Sequence, residues 1–406
     1  MRRLLPRAGL ALAIVAAAIV LPAQAAFAFS DVPSTYWDYT AITYVATTNT
    51  WMQDYGTDLF QPTARESRSF LARTLVEVYA PDEPIDPTIT FTDLPTTDPF
   101  YPYANVAVKL GWMPAFPGSA WKGTAELRSS LFDQALIDAM GLSAPVAGLY
   151  DIKDANGVPY TIGDRMAQMD LARWLGLHYN HDDESLDIQA TTPIKRDEVA
   201  YSLWMAKTIP QWEIDGTSIF DSITLPVPGG GQQKLTAYAL NQIGYPYIWG
   251  GEWNAKSPAG YCCGSQPQGG FDCSGFVWWV LKKYEDSYNA AQFRTYVGWS
   301  VHERTSSDMA HMAPTQLTYD QLAPGNLMFF ASDGGNLWTD VDHVGIYLGN
   351  GWMMHSTAGG PQLEWVGSGW YFDNFVWGRA LTSKGAPSHA PQKLGESAAG
   401  PTAVRP

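Results

Sequence analysis

Apolar positions along the chain change period more than once, and each change marks an element. From Phe29 the stretch FSDVPSTYWDYTAITYVATTNTWM runs from a turn-rich opening into Ile42, Val45 and Ala46, the i, i+3, i+4 spacing of an amphipathic helix. FTDLPTTDPFYPYANVAVKLGWM from Phe91 has the same layout, and LYDIKDANGVPYTIGDRMAQMDLARWLGL from Leu149 has it more weakly. After a loop each is followed by a second helical run: SRSFLARTLVEVY, LRSSLFDQALIDAM and KRDEVAYSLWMAK. Self-similarity at a period of about 60 residues predicts an N-terminal all-α module of three repeats, at about 29–90, 91–148 and 149–210, within 29–221. Arg68, Arg128 and Arg196 fall at the same place near the start of the second runs.

Beyond residue 235 the pattern is mixed. After FDCSG, residues Phe276, Val277, Val280 and Leu281 share one helical face, which puts Cys273 at a helix N-terminus. In DHVGIYLGNGWMMHST, residues 342–357, Val344, Ile346 and Leu348 alternate with His343, Gly345 and Tyr347, a strand with two distinct faces. The GNG stretch then turns the chain back. A two-residue Asn350-Gly351 turn would pair Ile346 with His355 and separate the two histidines. A three-residue Gly349–Gly351 turn pairs Gly345 with His355, diagonal to His343 on one face, and Gly351 suits its left-handed position. The three-residue turn is the expectation.

SITLPVPGGGQQK, residues 222–234, reads as a flexible linker, and 382–406 lacks apolar periodicity and reads as a disordered tail. Residues 235–381 then form one domain. At the start, Arg2, Arg3 and Arg7 precede an apolar run that ends in small-residue cleavage sites, the layout of a secretory signal peptide over 1–28. A retained anchor is the alternative. No later segment approaches ~18 consecutive apolar residues, so no transmembrane segment is expected in the mature chain, which is read as secreted.

Charge sharpens the division. Residues 30–225 carry 12 Lys+Arg against 27 Asp+Glu, whereas 226–406 carry 10 against 13. Neither half offers the basic patch that phosphate backbones require, which excludes nucleic acid as a partner. The three cysteines, Cys262, Cys263 and Cys273, lie within twelve positions. They are too few for a disulfide framework, and an odd number leaves a thiol unpaired. Adjacent Cys262 and Cys263 are poorly placed to share a tetrahedral ion, so neither a metal nor a cofactor is expected. A bridge between those two, or from either to Cys273, stays open. At a helix start the dipole would lower the Cys273 pKa, and Gly275 would leave room for a substrate. A nucleophilic thiol needs a base and a group to orient it, and the histidine strand pair offers both.

YPYIWGG at 245–251, FDCSGF at 271–276, LAPGNLMFF at 322–330 and DHVGIYLGNGWMMHS at 342–356 resemble, in order, the motifs of NlpC-type (NlpC/P60) cell-wall cysteine peptidases. That resemblance implies a papain-like α+β fold with an antiparallel sheet. It also implies Cys273 as nucleophile, His343 as base and His355 as its orienting group, with Tyr247, Asp272 and Ser274 lining the substrate site. The implied partner is the peptide stem of peptidoglycan, cut between D-γ-glutamyl and a diamino acid. The helical repeats resemble S-layer homology (SLH) repeats, with SRSF, LRSS and KRDE where Thr-Arg-Ala-Glu is usual. That implies a secondary cell-wall polymer as partner, contacted by Arg68, Arg128 and Arg196. The expectation is therefore a secreted peptidoglycan endopeptidase held at the cell wall. The alternatives are a non-catalytic wall or surface-layer protein, or an amidase or acyltransferase on another wall amide.

Overall fold

The computed structural model describes residues 29–229, 232–258, 266–287, 303–313 and 315–381. The expected leader (1–28), Cys262, Cys263 and the tail (382–406) lie outside them.

The N-terminal half is organised around a closed ring of backbone hydrogen bonds. Glu66 N donates to Ile194 O (2.9 Å), Ile194 N to Leu127 O (2.8 Å) and Leu127 N to Glu66 O (3.2 Å). One step along, Arg68 N meets Ala125 O, Ser129 N meets Thr192 O and Arg196 N meets Ala64 O. Three chain segments thus pair cyclically, and each runs directly into a helix: α1 (Arg68–Tyr79), α3 (Ser129–Ala139) and α5 (Arg196–Thr208). The earlier helix of each pair is Tyr39–Ile42 with a π-helical continuation to Thr48, then α2 (Tyr101–Lys109), then α4 (Met166–Trp174). Ile42, Val45 and Ala46 are buried, as their spacing requires. One boundary differs: a helix over Ser143–Tyr150 runs through the expected opening of the third repeat.

The ring also corrects the alignment of the arginines. Its equivalent positions are Arg68, Ser129 and Arg196, while Arg128 is an N-cap, matching Ser67 and Lys195. Arg68 and Arg196 point inward. Arg68 donates to Trp121 O (2.9 Å) and Pro114 O (2.8 Å), with its guanidinium over the Trp121 ring. Arg196 is fully buried, donating to Phe60 O and Met52 O and pairing with Asp54 (2.6 Å) and Glu66 (3.2 Å). A guanidinium whose donors end on interior carbonyls and carboxylates has an architectural role. Of the three, only Arg128 is exposed.

The second half has α6 (Gln232–Leu240), α7 (Cys273–Ser287) and a five-stranded antiparallel sheet. Its strands are β1 (Leu327–Phe330), β2 (His343–Gly349), β3 (Trp352–Thr357), β4 (Gly360–Trp365) and β5 (Phe375–Arg379), in spatial order β4-β3-β2-β1-β5. Phe276, Val277, Val280 and Leu281 of α7 share a core with Val344, Ile346 and Leu348, while Tyr347 joins a second cluster with Met328, Phe330 and Met353. Pairing alternate β2 residues with two different cores fixes the strand's facing.

The 222–234 segment is not a free linker. Thr224–Leu225 pair in parallel with Lys153–Asp154, Ile223 and Leu225 are buried, and Asn350 Nδ2 donates to Thr224 O (2.9 Å). Phe220 lies against Trp352 with ring centroids 5.5 Å apart. On the exposed edge of the sheet, Asp170 Oδ1 accepts from Leu363 N (2.8 Å) and Trp174 Nε1 donates to Glu364 (3.1 Å), so α4 covers β4. An uncovered edge is a pairing liability. Helix α4 closes it, and one hydrophobic core runs through both halves.

Candidate active site

The β2–β3 hairpin aligns the two histidines. Gly345 pairs with His355, the expected register, but by a different route. The turn is the two-residue Asn350-Gly351, both at positive φ (50° and 82°), and the register shifts between Tyr347 and Gly349. The extra residue, Leu348, moves His355 by one position onto the face of His343. His343 Nε2 lies 2.7 Å from His355 Nδ1. With the shared proton on His343 Nε2, the His343 Nδ1 lone pair is free to act as a base. His355 is fully buried, and its Nε2 has no hydrogen-bond partner among the described residues. Its ring stands edge-on (89°) to Tyr371 at 5.1 Å.

Cys273 opens α7, 8% exposed, its Sγ 3.8 Å from Asp342 O. Asp272 caps the helix by accepting from Gly275 N (2.5 Å). Gly275 does not face a substrate: a Cβ there would lie 1.9 Å from Gly251 O, so glycine lets the helix start pack against that backbone. Asp272 and Ser274, expected to line the substrate site, are engaged by Arg304. Its Nη1 donates to Ser274 Oγ (2.8 Å) and lies 3.2 Å from Asp272 Oδ1, Nη2 is 3.1 Å from Asp272 Oδ2, and Nε meets buried Glu252 (2.5 Å). Arg304 and Glu252 escaped the sequence reading, because both lie in stretches without apolar periodicity. The available signal was the scarcity of cations in this half.

Electrostatics oppose the expected thiolate. Burial pushes the Cys273 thiol up to about 12, the Asp272 carboxylate adds to the rise, and the Val344 and Ser274 amides oppose it without prevailing. Burial likewise lowers His343 to about 4, against the opposing carboxylates of Asp342 and Asp272. His355 is held well below its ordinary value by burial and by His343. Cys273 and His343 therefore both rest neutral. Burial, and then the charges of Cys273 and Asp272, raise the Tyr247 pKa, so this half-buried phenol keeps its proton and can donate.

A pH dependence follows. A base works only unprotonated, and a depressed pKa extends that state to lower pH. Activity requiring neutral His343 should therefore hold below its ordinary 6.5 and fall only as pH approaches about 4. A kcat/KM profile with its acid limb at 6 to 7 would contradict this.

Residues 244–376 match the model of the NlpC/P60 family. This part of the chain is an NlpC/P60 domain. Over 139 residues the chain is 33% identical to murein DD-endopeptidase MepH of Escherichia coli (strain K12), covering 32% of this chain and 40% of that protein. Over 138 residues it is 33% identical to the gamma-D-glutamyl-L-lysine dipeptidyl-peptidase of Bacillus subtilis (strain 168), covering 33% and 36%. The crystal structure of the NlpC/p60 domain of the peptidoglycan hydrolase SagA aligns at 26% identity over 37% of this chain and 98% of that one, with a TM-score of 0.23. The chain thus spans less than half the length of these curated relatives. NlpC/P60 is a cysteine peptidase family, and this domain places its cysteine, Cys273, at a helix start and its paired histidines on adjacent strands.

Proposed function

We propose that the protein is an exported peptidoglycan endopeptidase that cuts stem peptides between D-γ-glutamyl and a diamino acid through a Cys273 thioester. The observation that carries this reading is the His343–His355 hydrogen bond inside an NlpC/P60 domain whose cysteine opens α7. His343 Nδ1 takes the thiol proton as sulfur attacks the amide carbon. Tyr247 donates to the developing oxyanion. The imidazolium returns its proton to the departing amine, leaving a thioester. Water, deprotonated by His343, then releases the acid and restores the thiol. His355 holds the His343 ring and accepts from its Nε2–H throughout. The relatives' names support a wall peptide as substrate, and one of them names the γ-D-glutamyl bond.

The repeats, read as SLH-like, hold the enzyme at a cell-wall polymer. Their threefold ring supports that reading, and exposed Arg128 is the arginine able to meet an anionic polymer. Digestion of purified peptidoglycan followed by mass spectrometry tests the bond. The expected products are peptides with a new diamino-acid amino terminus. Fragments cut at any other amide would overturn the assignment.

A further inference from the structure

The histidine pair has a third ring against it. Between β4 and β5 the chain makes one helical turn, Trp370–Asp373, entered through Gly369 at φ 75°. Asn374 Nδ2 closes the turn on Trp370 O (2.9 Å), and Ala331 N donates to Asn374 O (3.1 Å), which ties it to the end of β1. The turn sets the Tyr371 ring among those of Phe330 (5.4 Å between centroids), His343 (6.1 Å) and His355 (5.1 Å). Trp370 stands perpendicular to it at 4.9 Å, so the phenol ring is held from several sides.

Each neutral imidazole carries one N–H, and the contact from His343 Nε2 to His355 Nδ1 (2.7 Å) holds one hydrogen. That hydrogen has two possible owners. If it belongs to His343, the Nδ1 of His343 is a bare lone pair, and the hydrogen of His355 sits on Nε2. If it belongs to His355, the hydrogen of His343 moves to Nδ1, and no base is left for a thiol. The place of the His355 hydrogen thus decides whether His343 can act. Yet His355 Nε2 is buried, and no hydrogen-bond partner among the described residues fixes it. Beyond His343, the ring against His355 is that of Tyr371, perpendicular to it at 89°. The face of a phenol is the negative part of its quadrupole, so it attracts an N–H edge and repels a lone pair.

We propose that Tyr371 is a positioning residue whose ring face selects the Nε2–H tautomer of His355 and, through it, keeps His343 Nδ1 bare. The ring acts through His355, and the Tyr371 hydroxyl has no part in the selection. The role of His343 as base rests on the peptidase reading above, whereas the tautomer of His355 does not depend on it.

The test uses the full chain with ¹⁵N in its seven histidines, beside its Tyr371→Phe and Tyr371→Leu variants. Long-range proton–nitrogen NMR spectra report which nitrogen of each imidazole carries hydrogen, with the two rings assigned from His343→Gln and His355→Gln spectra. The unaltered protein and Tyr371→Phe, which keeps the aromatic face, should both show His355 protonated on Nε2. Tyr371→Leu, which lacks that face, should show the two tautomers mixed or reversed. On the stem peptide L-Ala–γ-D-Glu–L-Lys–D-Ala, Tyr371→Leu should lower kcat about fivefold and leave KM unchanged, while Tyr371→Phe should change neither. His355 protonated on Nδ1 in the unaltered protein, a reading that needs no substitution, would overturn the proposal. So would a Phe variant as impaired as Leu, a loss confined to KM, or a Leu variant in which either the tautomer or kcat stays unchanged. If the unaltered protein cuts no stem peptide, the peptidase reading falls, and the tautomer spectra alone decide the role of Tyr371.

Discussion

Replacing His343 with Ala should lower kcat/KM on a stem peptide by about 10²–10⁴-fold or more. Burial sets the size of this effect. A thiol pushed up to about 12 stays protonated at pH 7, so the sulfur depends on a partner that removes its proton during attack. His343, kept neutral by burial, is that partner. The variant should regain activity as pH rises, because hydroxide then replaces the base. His355 acts on the ring rather than on the substrate. His355→Gln supplies an oxygen to accept the His343 Nε2 proton and should retain more activity than His355→Leu, which supplies none. Steady-state kinetics of the three variants from pH 5 to 10 check this, and equal losses for Gln and Leu would remove the orienting role.

The second large effect is on stability. Arg196→Ala should cost about 3–5 kcal/mol, because it strands buried carboxylates rather than merely deleting a contact. Asp54 keeps its pair with Arg73, but Glu66, already raised to about 7 by burial, loses its main counter-charge. In the variant the Glu66 pKa rises further. A carboxyl with a raised folded pKa favours the folded state below that pKa and loses the advantage as pH climbs through it. The deficit in urea unfolding should therefore be smaller at pH 5 than at pH 8. Arg128→Ala, at an exposed N-cap, should change stability by under about 0.5 kcal/mol. A large loss there with none at Arg196 would reverse the structural assignment of the arginines.

These residues show what the sequence carried and what it hid. Alternation along β2 and a Gly-rich turn were enough to place His355 opposite Gly345. The same turn chemistry hid the bulge at Leu348, because a two-residue turn plus an extra residue gives the register of a three-residue turn. Helical periodicity marked helices of the N-terminal half but not the phase of the arginines. A one-residue shift between N-cap and first helical residue barely alters an apolar pattern, yet it turns Arg196 inward and Arg128 outward. Prolines and glycines made 222–234 look free, since its partners, Lys153–Asp154 and the β2–β3 turn, are distant in sequence. The thiol pKa was misjudged for a related reason. Helix position is a local property, whereas burial depends on everything that packs above it.

The most direct measurement is digestion of purified peptidoglycan by the full chain and by its Cys273→Ala variant, with folding verified by circular dichroism and fragments identified by mass spectrometry. The account predicts γ-D-glutamyl-terminated fragments from the unaltered protein and none from the variant. Undiminished release of the same fragments by a folded Cys273→Ala protein would contradict it.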